Sequence, residues 1–265
     1  MRVLRAAAAV LFIALAGCPA VYPELGTRTR PMAPGAQLDP PPPSDLHWIK
    51  FVSARIPERT RDGRPWQPNG KASPYAKLLV NGVELIKSGT QSDTLEPTWP
   101  EGPHGNFKVA AGDKLRVEVW DSNPLNDKPI AVQELGVVGE VKAFEGKVRV
   151  ELLEGAAEVV FAFEPAHAVS GLGLWYELRN QGCALTRLLE GSPAERAGLL
   201  AGDEVLRIGG HDVSPMTPDQ IRSAFNAVPM DGLALVVKHT TGATSDVTLK
   251  EGPIYPTFGQ FGPID

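Results

Sequence analysis

Residues 191–210 read GSPAERAGLLAGDEVLRIGG, and few stretches of that length restrict a backbone so tightly. Ser192 is a ready N-cap, Pro193 suits the first helical position, and Glu195 completes a Ser-x-x-Glu capping box. Gly198 is placed to end that short helix, because a left-handed residue costs glycine nothing. Gly202-Asp203 then turns the chain into a strand over 204–208, and Gly209-Gly210 turns it again. Local chemistry alone gives turn, short helix, turn, strand, turn.

Two further motifs flank this stretch: Gly171-Leu172-Gly173-Leu174 upstream, and Thr217-Pro218-Asp219-Gln220, which opens a second helix with its own capping box, downstream. Together they resemble a PDZ domain, here over 167–252. The resemblance implies a small β-rich domain with two short helices, in which a partner's C-terminal strand adds to the second strand. It also implies that main-chain N–H groups of Leu172, Gly173 and Leu174 cradle the partner's terminal carboxylate. Leu172, Leu174 and Tyr176 alternate onto one face, and Phe225 on the second helix closes an apolar pocket. Pro218, Arg222 and Phe225 share one helical stripe along the groove. Many groove helices of the family begin with His, and Pro218 stands in that place, so recognition of a hydroxyl is not implied. Arg222 points to an acidic or polar residue on the partner. The competing reading is that Ile221 and Phe225 only pack the core. Gly173→Val is expected to abolish peptide binding and spare the fold. Residues 165–168 make a poor first strand, and 246–249 could fill that place from the other end, as in circularly permuted bacterial PDZ domains.

The first 17 residues carry Arg2 and Arg5 and then an apolar run too short to cross a bilayer, the pattern of a signal peptide. Leu15-Ala16-Gly17-Cys18 resembles the lipobox of bacterial lipoproteins, which implies a lipid on Cys18 and, with Pro19 following, the outer membrane. Removing residues 1–17 takes away two Arg and no acid, moving the net charge from −5 to −7. An acidic body argues against nucleic acid and against docking on anionic lipid. With Cys18 lipidated, Cys183 has no disulfide partner and is expected to pack as a small hydrophobe. Eight of the 26 residues from 19 to 44 are Pro, so 18–44 is expected to be a lipid-anchored, extended spacer reaching up to ~80 Å.

Residues 45–165 give strand signals only: 47–56, 75–80 and 83–87 around the hairpin pair Asn81-Gly82, 115–120, 147–153 and 158–163. Such spacing suggests a β-sandwich. Residues 73–77, 94–99, 113–121 and 155–163 resemble successive strands of a C2 domain. That family often binds calcium, which wants several carboxylates. The matching residues here are Asp62, Asp121 and Asp127. Two ligand positions have lost their charge, however, being Ser73 and Asn123. The competing reading is that Asp121 and Asn123 cap a turn. No cofactor beyond that calcium is implied. Residues 253–265 are expected to be a tail.

The five His are scattered, with no His-Glu-x-x-His, Gly-x-Ser-x-Gly or phosphate loop, and Tyr176 replaces the third glycine of a dinucleotide fingerprint. The chain therefore reads as a mainly β, non-enzymatic, membrane-anchored adaptor of the cell envelope. Its PDZ domain would hold a partner protein's C-terminus or extended strand. One rival is a calcium- or lipid-responsive membrane module acting through the sandwich. The other is a divergent envelope hydrolase or protease accessory subunit, and a histidine paired with a serine or carboxylate inside a pocket would speak for it.

Overall fold

The computed structural model describes residues 24–68, 70–138, 146–152, 157–180 and 182–261. The leader, Cys18 and the expected hairpin turn at 154–156 lie outside them. Two short strands come first, β1 (Leu25–Gly26) and β2 (Arg30–Pro31). Both fall in the stretch expected to be a solvated spacer, and both pair with strands of the second domain. The expectation failed because pairing to a distant edge leaves no periodicity in the paired segment itself.

The sandwich comprises β3 (Leu46–Arg55), β4 (Pro74–Val80), β5 (Val83–Lys87), β6 (His104–Lys108), β7 (Lys114–Asp121), β8 (Lys128–Val137), β9 (Gly146–Leu152) and β10 (Ala157–Pro165). They form two four-stranded antiparallel sheets, β6-β3-β10-β9 and β5-β4-β7-β8. Asn81 and Gly82 turn the β4–β5 hairpin with φ of 52° and 83°, the doubly left-handed turn that this dipeptide favours. In β7 the side chains of Leu115, Val117 and Val119 are wholly buried and meet Ile49, Phe51, Leu78, Phe161 and Phe163 between the sheets. Burying such a side chain is worth about 1.5–3 kcal/mol, so this layer holds the sheets together.

The second domain is built from β11 (Val169–Gly171), β12 (Leu174–Arg179), β13 (Gly182–Leu188), α1 (Pro193–Arg196), β14 (Glu204–Ile208), β15 (His211–Asp212), α2 (Pro218–Asn226), β16 (Leu233–Lys238), β17 (Thr244–Leu249), β18 (Gly252–Ile254) and α3 (Phe258–Phe261). Its main sheet runs β1-β12-β13-β14-β16-β17, with β15 on β14. Ser192 caps α1 by accepting from the Glu195 amide, while the Glu195 carboxylate reaches Gly191 N–H at 2.6 Å rather than that of the cap itself. Thr217 and Gln220 complete the reciprocal box of α2. β17, which contains residues 246–249, pairs antiparallel with β16 at the far edge of the main sheet, while β11 lies in a separate three-stranded sheet between β18 and β2. Three residues suffice there because strands on both sides share the pairing.

The C-terminal segment is a joint between domains rather than a free tail. Phe258 stacks on Phe107 of the sandwich with ring centres 5.2 Å apart, and Phe261 lies 5.3 Å from Trp175. Asn106, fully buried, donates to the carbonyls of His167 (2.8 Å) and Pro256 (3.1 Å) and accepts from His167 N–H (2.8 Å). One amide side chain thereby satisfies three main-chain groups where the domains meet, and burial without those bonds would be costly. Among the described residues no helix is long and apolar enough to cross a membrane.

Candidate peptide-binding groove

The loop from Leu172 to Leu174 is fixed through its carbonyls. Leu172 O accepts from Ala194 N–H in α1 (3.1 Å) and Gly173 O from Leu189 N–H (2.8 Å). Leu174 O accepts from Thr27 N–H (3.0 Å) and from the Thr27 hydroxyl (3.2 Å). Gly173 has φ of +71°, and a β carbon there would sit 2.4 Å from that of Ser192. The glycine is thus required by packing as well as by the turn, and the expectation that Gly173→Val would spare the fold is corrected.

Tyr176 and Phe225 are both buried, with ring centres 4.7 Å apart, between β12 and α2. Burial above all, then the neighbouring Cys183, pushes the Tyr176 phenol up to about 12, so the ring enters the site uncharged. Pro218 begins the helix half-buried. Arg222 is exposed and pairs with Asp219 at 3.0 Å, so it stands at the rim rather than inside the groove. Cys183 is buried, and desolvation raises its thiol to about 12, which makes it inert.

The edge of β12 is already filled. Leu25 and Gly26 pair antiparallel with Tyr176 and Trp175, and Leu25 packs against the cluster that holds Leu172, Leu174, Tyr176 and Phe225. Thr27 is 5% exposed. Arg28 N–H then reaches the Asn226 side chain at the end of α2 (3.3 Å), and the Arg30 guanidinium reaches Asn226 O (3.0 Å) and Glu251 (3.2 Å). Glu24 pairs with Arg187 at 3.4 Å, and Arg187 lies over the Trp175 ring at 3.9 Å. A β carbon on Gly26 would meet the Trp175 indole nitrogen at 3.0 Å, so only glycine lies flat there. Leu25, Gly26, Thr27 and Asn226 were missed by sequence reasoning, since Leu-Gly-Thr inside a proline-rich stretch carries no periodic signal.

The three expected calcium ligands are engaged by protein donors. Asp121, fully buried, accepts from the Gln67 side chain (2.8 Å), Ser73 N–H (2.7 Å) and the Asn123 side chain (3.0 Å). Asp127 accepts from Asn123 N–H (2.9 Å) and the Tyr75 hydroxyl (2.7 Å), which hold its carboxyl below the usual range. Asp62 bonds the Thr60 hydroxyl (2.6 Å) and Arg64. Among the described residues no three His, Cys, Asp or Glu side chains come together as a metal set. The expected calcium set is therefore corrected: the three carboxylates do not converge, amide, hydroxyl and guanidinium donors engage oxygens that a cation would need, and it is Asp127 that caps the turn at Asn123 N–H while Asp121 receives the Asn123 side chain.

A histidine does pair with both a serine and a carboxylate. His239 Nδ1 lies 3.0 Å from Asp203 Oδ2 and its Nε2 lies 2.8 Å from Ser245 Oγ. Asp203 is fully buried and also accepts from Leu200 N–H (2.9 Å). Ser245, however, sits within β17, directly opposite the fully buried Val237. A nucleophile needs an exposed oxygen and main-chain donors aimed at an oxyanion. Ser245 is half-buried in that ladder, and the trio ties the 200–203 turn to the β16–β17 hairpin.

Family models for "C2 domain" and "PDZ domain" match residues 54–151 and 185–228 respectively. The chain carries a C2 domain followed by a PDZ domain. Domains of these two families are typically non-catalytic binding modules, C2 domains being able to bind lipid membranes and PDZ domains binding protein C-termini or peptides, and no catalytic family is identified. A 58-residue stretch is 44% identical to Tax1-binding protein 3 of Homo sapiens and to that of Mus musculus, covering 22% of this chain and 47% of each relative. The match thus spans about half the length of those relatives. Among solved structures, "Structure of a C2 domain" is 19% identical at a TM-score of 0.34, covering 45% of this chain and 97% of that one. A C2 domain protein from Ramazzottius varieornatus is 12% identical at a TM-score of 0.34, covering 44% of this chain and 85% of that one.

Proposed function

We propose that the protein is a lipid-anchored scaffold of the cell envelope, most simply the outer membrane, whose PDZ domain takes a partner's C-terminus or extended strand. The observation that carries this reading is the edge of β12. It accepts an extended segment in antiparallel register, over a floor of Tyr176 and Phe225, beside the main-chain amides of Leu172, Gly173 and Leu174. A carboxylate ending the added strand at the level of Thr27 would meet those amides, and its side chains would alternate between the floor and Trp175.

The C2 sandwich meets this module through Asn106 and Phe258. With Cys18 lipidated, only six residues separate the anchor from β1, a reach of about 25 Å at full extension. The groove would then lie near the bilayer rather than at the far end of a long spacer. Peptide contacts of this size bury little area, so modest affinity is expected.

The test is selection of C-terminal peptides on the full chain held in detergent micelles, alongside fractionation of Cys18→Ser. Enrichment of free C-termini and release of Cys18→Ser from membranes are expected. Indifference to amidation of the selected C-termini would overturn the groove reading, and a Cys18→Ser protein still in membranes would overturn the anchor.

A further inference from the structure

We infer that residues 24–31 are the resident ligand of the groove, and that a partner binds by displacing them. The inference deepens the adaptor reading and rests on it for the partner, though not for the docking itself. Three observations carry it. The segment takes the free edge of β12, the one an added strand must use. It is clamped at both ends: by Glu24 on Arg187, and by Arg28 and Arg30 on Asn226 and Glu251. It also does not stop at the carboxylate loop. Arg28 O and the Thr29 methyl lie 3.5 and 3.4 Å from where a β carbon on Gly171 would be, and Arg30–Pro31 pairs onward along β11. The strap therefore runs beside the loop where a partner's terminal carboxylate would rest, and the two cannot be present together.

The resident segment also defines the partner's chemistry. Alternation along a strand puts Leu25 and Thr27 on one face and Gly26 on the other. Leu25 packs on the floor, Thr27 is buried with its N–H on Leu174 O, and Gly26 lies against the indole of Trp175. A displacing partner is accordingly a protein C-terminus with a small β-branched last residue, a glycine-like residue before it, and a leucine-sized residue before that. Unlike the strap, it brings a free carboxylate for the amides of Leu172, Gly173 and Leu174, and that is its advantage in the exchange.

A tethered occupant competes at high effective concentration. If the strap is seated nine-tenths of the time, the competent fraction is about 0.1 and the partner's apparent affinity drops about tenfold.

The test uses the full chain and the hexapeptide Tyr-Pro-Glu-Leu-Gly-Thr, the sequence of residues 22–27 with a free carboxylate. Gly26→Val with Thr27→Asp should unseat the strap, because the first meets the Trp175 indole and the second buries a charge. Arg30→Ala, a milder change at a half-exposed side chain, removes the Asn226 and Glu251 contacts without touching the core. Main-chain hydrogen exchange of β12 should speed up in both variants, and peptide affinity should rise about tenfold in the first and less in the second. Unchanged exchange in both variants would overturn the strap while leaving the groove reading to stand on wild-type peptide binding. Faster exchange without peptide binding in any form would overturn the ligand assignment and the adaptor reading together. Equal peptide affinity in all three proteins would overturn the competition.

Discussion

Gly173→Ala isolates what the carboxylate loop demands of its backbone. At φ of +71° an L side chain costs about 1–2 kcal/mol. The new β carbon would also stand 2.4 Å from the Ser192 β carbon, and Ser192 is fully buried as the cap of α1. Relief must move that cap, and losing it costs about 1 kcal/mol. The overpacking itself adds about 1–3 kcal/mol. A total near 4 kcal/mol is expected. Ser192→Gly removes the opposing atom and retains a tolerated N-cap at a cost of a few tenths of a kcal/mol. In that background Gly173→Ala should cost only the backbone term, so the two changes couple by roughly 2 kcal/mol, as contacting residues do. The assay is urea unfolding of the full chain, followed by hydrogen exchange in β12 and β13. Additive costs, or a Gly173→Ala penalty below about 1 kcal/mol in either background, would refute the steric argument.

Three further outcomes are expected. His47 is stacked on Phe163 at 4.4 Å with its Nε2 buried and unpartnered, and burial, outweighing Asp45, holds its pKa below 6.5. The unfolded chain then binds a proton that the folded chain refuses, so stability should be full above about pH 6.5 and fall as the pH drops below it. His47→Phe should flatten that slope in unfolding titrations between pH 5 and 7.5. Asn106→Leu should leave three main-chain groups, one buried and two part-buried, unpartnered, at up to about 1–3 kcal/mol each, and split one unfolding transition into two; a single unshifted transition would contradict the joint. Ser245 should resist a fluorophosphonate probe, and Ser245→Ala should cost about 1 kcal/mol of stability; covalent labelling at Ser245 would restore the hydrolase alternative.

What could be read from the sequence was whatever local chemistry decides. Asn81-Gly82, Thr217 with Gln220, and the alternation of Leu115, Val117 and Val119 each fix conformation within a few residues, and each stands where its pattern puts it. Strands β6 and β8 escaped notice because their residues break the period: His104 through Phe107 are all buried, and β8 contains Pro129 and Gly136 with pairing shifts against β7. The groove residues Tyr176 and Phe225 were legible from register once the PDZ resemblance had set where a groove would lie, whereas Arg222 was not, since an exposed Asp219 one turn back attracts it. The strap was hidden for a different reason. Its side-chain hydrogen-bond partners lie 147 to 221 residues away (Thr27 to Leu174, Arg30 to Glu251), and nothing in Leu25-Gly26-Thr27 encodes which edge will take it. The Asp203, His239 and Ser245 file is less remote in sequence, joining the 200–203 turn to the β16–β17 hairpin across 36 residues.

The most direct test of the filled edge is a nuclear Overhauser contact between the α protons of Gly26 and Trp175 in the isotopically labelled full chain. Since Thr27 N–H bonds Leu174 O, the neighbouring Gly26–Trp175 pair is the close, non-hydrogen-bonded type, with α carbons about 4.5 Å apart. A strong cross-peak is expected, together with extended-strand shifts over residues 25–27. Its absence, with random-coil shifts for that stretch, would contradict the account.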